Sequence, residues 1–140
     1  MTHTFTIRSS ADLLAAWQFV DQGFGYAAPQ IFALMIESDG SVVPQIVEIH
    51  DSDLDGEDRE QSVGEVIDAL KDAFVVGHPG SAVAVMRARP GRQSMTADDA
   101  TWCRLIHEQL ARAGLNTFPM YFATDDSLGP VPPDVLVAAA

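Results

Sequence analysis

The spacing of apolar and polar positions changes several times along the chain, and each change marks an element. Gln30 to Ser38 (QIFALMIES) is a nearly continuous apolar run, the pattern of a central strand covered on both faces. Asp39-Gly40 is a turn signal, and SVVPQIVEI returns as a second strand. Pro44 weakens the early part of that strand or puts it at an edge or bulge. The two strands read as a hairpin. SVGEVIDALKDAF shifts to helical spacing, with Val63, Val66, Ile67, Leu70 and Phe74 on one stripe and Ser62 and Glu65 as a capping box. GHPG ends that helix, and SAVAVM follows as a buried strand.

Thr96 with Asp99 opens another helix, which carries Trp102, Leu105, Ile106, Leu110 and Ala113 on one face and ends at Gly114 as a C′ residue. NTFPMYFAT reads as the next strand. Before the hairpin, HTFTI (His3 to Ile7) alternates like a short edge strand, and SSAD starts a helix over about residues 10–21 through Leu13, Trp17 and Val20. The tail is proline-rich from about residue 126, with a short final strand expected at DVLV. The order β-α-β-β-α-β-α-β predicts an α/β (α+β) sandwich, a mixed central sheet flanked by three helices. No internal repeat or boundary divides residues 1–140, so a single domain is expected.

Composition narrows the function classes. The chain of 140 residues is 47% hydrophobic and 20% charged, which suits one globular domain. The net charge of −12 argues against nucleic acid and against anionic membranes as partners, since phosphate binding needs a positive face. Lys71 is the only lysine against seven arginines. No stretch reaches the ~18 apolar residues of a membrane span, and the N-terminus lacks the basic and apolar regions of a secretory signal. The single cysteine, Cys103, sits in a helical apolar pattern, which predicts a buried thiol and fits the cytoplasm.

Two stretches carry candidate chemistry. In DSDLDGEDREQS, Asp51, Asp53, Asp55 and Gly56 match the first half of an EF-hand calcium loop. The second half departs from it, with Asp58 at the usually apolar position and Ser62 where the bidentate acid belongs. The other reading is a solvated acidic connection. In VMRARPGRQSMTADDATW, a strand runs into a Pro-Gly turn and then a helix start, a place where enzymes often put their chemistry. Here it holds Arg87, Arg89 and Arg92. Those arginines near a helix N-terminus could take a small anion, or Asp98, Asp99 and Glu48 could already neutralise them. Glu48, His50 and Asp51 form a conceivable metal cluster, although strand alternation turns 48 and 50 to one face and 51 away. His78 reads as a loop residue. Cys103 and His107 are an i, i+4 pair, too few ligands alone. Neither Ser62 nor Ser94 has a nucleophile signature, and no phosphate loop is present.

From about Ser9 to Asp134 the chain resembles the JAB/MPN metalloprotease family, in particular its bacterial RadC-type branch. That branch has a helix, a hairpin, a helix and a strand ending in His-x-His-Pro-Ser-Gly, then Ser-x-x-Asp at the next helix. Here the strand ends in Arg87-Ala88-Arg89-Pro90-Gly91, and Thr96-x-x-Asp99 follows after a turn one residue shorter. The resemblance implies a JAB/MPN (cytidine deaminase-like) architecture, with Glu48 in the place of the family's upstream catalytic glutamate and Thr96 and Asp99 as vestiges of its site. It also puts arginines at both histidine positions. Guanidinium has no lone pair to offer and repels Zn²⁺. The expectation is therefore a non-catalytic domain with no cofactor that binds a protein partner or itself. Exposed Phe24, Tyr26, Phe118 or the tail would form the contact. A small-anion-binding domain on Arg87, Arg89 and Arg92, or a metal-dependent hydrolase that keeps Glu48 and Asp99 with another ligand set, remain as alternatives.

Overall fold

The structure is a computed structural model that describes residues 5–21, 25–54 and 58–137. Two apolar strands set its frame. β1 (Gln30–Ile36) is buried along its whole length, and β3 (Ala82–Ala88) is buried from Val83 onward. Strands this apolar need cover on both faces, so they occupy the middle of a five-stranded sheet in the order β2-β1-β3-β4-β5. β2 (Val42–His50) pairs antiparallel to β1, and β1 pairs antiparallel to β3. β4 (Tyr121–Ala123) lies parallel to β3, and β5 (Leu128–Pro130) returns antiparallel to β4. The class is mixed α and β with a mixed sheet, as the pattern predicts.

Strand alternation divides the core into two layers. Ile31, Ala33, Val83, Val85 and Phe122 face α2 (Arg59–Leu70) and α3 (Ala97–Arg112). Phe32, Leu34, Ala84, Met86 and Tyr121 face α1 (Ser10–Asp21), where Leu13, Ala16 and Trp17 are buried. One helix on one face and two on the other make a three-layer sandwich. α4 (Pro133–Leu136) is a fourth helix, a single turn. Among the described residues no helix is long and apolar enough to cross a membrane.

Several expected boundaries move. α2 starts three residues before the expected cap: Asp58 accepts from the Gln61 N–H, so Ser62 lies inside the helix and its pairing with Glu65 is not the start. The helix runs on through a π-type turn, Lys71–Val75. β4 is short because Pro119 precedes it. DVLV is not a strand; Pro133 at the first helical position favours a helical turn there. The last strand is β5 instead. Of HTFTI, the described part makes only an isolated bridge, Thr6 to Ser41, and His3 lies outside the described residues. Pro44 sits in an irregular stretch, since β1 advances from Leu34 to Ile36 while its β2 partner moves from Ile46 to Val42.

Candidate functional site

The junction of β3 and α3 is built on two arginines of one strand face. The register that sets Ile31, Arg87 and Phe122 side by side turns Arg87 towards α2 and α3. It is 2% exposed. A charge so buried needs a partner, and Asp51, in the short turn Asp51–Leu54 after β2, grips it with both oxygens. The Arg87 guanidinium lies 4.3 Å from the centre of the Trp102 ring, and that of Arg59 lies 4.2 Å from the same ring. Arg87 Nε has no hydrogen-bond partner.

Arg89 follows on the same side. Its Nε donates to both oxygens of Asp99 at 2.9 Å. Its other nitrogens donate to the carbonyls of Pro90, Gln93 and Ser94, so one side chain holds the whole turn. Asp99 in turn closes the start of α3. It accepts from the Thr96 N–H at 2.8 Å, and the Thr96 hydroxyl accepts from the Asp99 N–H, the reciprocal capping box expected from Thr-x-x-Asp. Burial pushes the Asp99 carboxyl up, but the hydrogen bonds from Arg89 and Thr96 outweigh it and hold the carboxyl below its ordinary value. The same hydrogen bond from Arg89 to Asp99, against burial, raises the guanidinium further.

A third carboxylate locks the turn from outside. Asp125 accepts from the Gly91 N–H at 2.7 Å and the Tyr26 N–H at 3.0 Å, and both bonds lower its carboxyl. Gly25, with φ of 77°, passes so close that a Cβ there would lie 2.7 Å from Asp125 Oδ1.

The remaining candidates fall elsewhere. Glu48 pairs with Phe32 on the α1 face of the sheet, opposite to Arg87 and Asp99, and is exposed. It neutralises neither arginine; Asp51 and Asp99 do, while Asp98 approaches Arg59 at 4.0 Å. Arg92 is exposed and joins no hydrogen bond among the described residues. Asp53 accepts from the His50 N–H, and Asp55 and Gly56 lie outside the described residues. His78 closes the end of the α2 segment, with Nδ1 2.7 Å from the Phe74 carbonyl and its ring stacked on Phe74. Cys103 is buried, which pushes its thiol up to about 12 and leaves no thiolate to pair with His107. Tyr26 and Phe118 are half-buried against the α1 layer, and Phe24 lies outside the described residues.

The zinc that the JAB/MPN resemblance implies does not fit these residues. Arg87 and Arg89 offer protonated nitrogens to the centre of the junction, and the Asp99 oxygens already accept from Arg89 and Thr96. Among the described residues no three His, Cys, Asp or Glu side chains gather as metal ligands. Sequence reasoning missed Asp125 and the role of Asp51. The sequence offers Asp51 only as a candidate cation ligand, in the acidic loop or beside Glu48 and His50, and Asp125 carries no motif at all.

No family model, no curated protein and no solved structure matches this chain.

Proposed function

We propose that this chain is a non-catalytic domain of the JAB/MPN type, nearest the RadC branch, that works by binding a protein partner. One observation carries the reading. Each inward guanidinium at the strand-to-helix junction is already held by a carboxylate, Arg87 by Asp51 and Arg89 by Asp99. Apart from Arg87 Nε, the polar groups that acid–base chemistry or anion capture would use there are taken up by each other, which supports a fixed scaffold at the junction. The element order helix, hairpin, helix, strand, helix, strand supports the family assignment. So does the Thr96/Asp99 capping box behind the turn. The anion-binding alternative keeps only the exposed Arg92. The hydrolase alternative loses its acid, because Glu48 and Asp99 lie on opposite faces of the sheet.

Elemental mass spectrometry on protein purified without a tag or chelator tests this. Substoichiometric transition metal and no peptide or isopeptide hydrolysis are expected. Near-stoichiometric zinc with chelator-sensitive hydrolysis overturns the proposal.

A further inference from the structure

β2 is an outer strand of the sheet, and its backbone is bounded at both ends. The Asp51 N–H reaches the Pro29 carbonyl, so residues 51, 49 and 47 direct their backbone groups to β1. Residues 50, 48 and 46 therefore direct theirs outward. The His50 N–H confirms the direction, since it is taken by the Asp53 carboxylate outside the ladder. At the other end the Val42 N–H also points outward and donates to the Phe5 carbonyl, while the Ile7 N–H donates to Gly40. A strand-like segment of this chain is thus already added to that edge. Between the two caps, the N–H and C=O groups of Ile46 and Glu48 point outward and take no backbone partner among the described residues.

The side chains around this window differ between the two sheet faces. On the α1 face Ile46 is 42% exposed and Glu48 and His50 are exposed; of β2 only Val42 is packed against the α1 cluster among the described residues. On the other face Val47, Val66 and Leu70 are half-buried apolar groups at the rim of the α2 layer.

We propose that the Ile46–Glu48 edge of β2 receives an extended segment of another protein in which apolar and basic side chains alternate. The backbone window supplies the ladder bonds. The apolar side chains cover Val47, Val66 and Leu70, and a basic side chain faces Glu48. The charge of −12 favours a basic guest over a second copy of this chain. This inference rests on the partner-binding reading above and gives that reading a surface.

The probe is a capped peptide of alternating valine and lysine, read by amide hydrogen exchange of the full chain, with a valine–glutamate peptide as control. Exchange at Ile46 and Glu48 should slow about tenfold with the basic peptide and stay unchanged with the acidic one. Glu48→Lys should reverse that preference without shifting the melting temperature. Glu48→Pro removes an N–H that no β1 group uses and should weaken basic-peptide binding about tenfold. Unchanged exchange at both amides, or equal response to both peptides, sinks the proposal. Protection of both amides in peptide-free protein that sediments as a dimer assigns the edge to a second copy and overturns it as well. Recovering the peptide by mass spectrometry separates the two claims, because a cleaved peptide contradicts the non-catalytic reading whatever the edge does.

Discussion

One carboxylate of Asp99 serves two elements at once: it accepts both bonds from Arg89 Nε at the end of β3 and closes the first turn of α3 through the Thr96 N–H. Asp99 is 3% exposed and the Arg89 side chain 14% exposed, so this pair is largely withdrawn from water. The turn between them, residues 90–95, has no regular structure of its own and is held by Arg89 through three carbonyls.

Asp99→Ala should therefore cost about 3 kcal/mol or more, because it removes a helix cap and leaves a half-buried guanidinium unpaired. Arg89→Met in the same chain should return part of that loss by removing the orphaned charge. Urea unfolding of the two single variants and the double variant measures the coupling.

The same bonds predict an acid response. Asp99 is held below its ordinary value of 3.8, so the folded state keeps the carboxylate where the unfolded chain would take a proton. This contribution is complete above the unfolded value and fades as pH falls through the folded one. The urea midpoint should drop below about pH 4, and the drop should be shallower in Asp99→Asn. It should not vanish, since Asp125 and Asp39 are lowered too. An identical acid slope in Asp99→Asn would show that Asp99 is not the linked group.

Much of this frame was readable from the residues. The apolar runs at 30–36 and 82–88, the Asp39-Gly40 turn and the Thr96/Asp99 cap are local signals, and local signals survive folding. Arg87 could also be placed on the side of Val83 and Val85 by alternation. Its partner could not be read, because Asp51 lies 36 positions away and meets it only through the β1–β2 register. Glu48 eludes the sequence for a related reason: the resemblance puts it at the junction, whereas the pleat turns it to the other face of the sheet. Asp125 was invisible because it acts on backbone N–H groups, which have no sequence identity.

The Arg87–Asp51 pair makes an asymmetric prediction. The Arg87 side chain is 3% exposed, whereas that of Asp51 is 27% exposed. Losing Arg87 leaves a carboxylate that water can reach. Losing Asp51 leaves a buried cation stacked on the Trp102 ring without its carboxylate. Asp51→Ala should thus destabilise by roughly 3–5 kcal/mol and Arg87→Met by clearly less. Equal losses in urea unfolding would mean the two ends are equally desolvated.

Cys103 reports on the same region without perturbing it. Its thiol is buried beside Arg87 and Asp99 on the core face of α3, and burial raises it to about 12 despite the pull of Arg87. In the native chain at pH 8 a disulfide-exchange reagent should meet neither an exposed sulfur nor a thiolate, so labelling should proceed only through unfolding. Adding urea should raise the labelling rate in step with the unfolded population. Asp51→Ala should raise it without urea, because the unpaired Arg87 strains the packing around Trp102 and opens the base of α3. If labelling in the native chain is fast and insensitive to urea, α3 does not pack on the sheet as described. If Asp51→Ala loses stability but labels only in proportion to its unfolded fraction, the ion pair stabilises the fold globally and does not gate the helix locally.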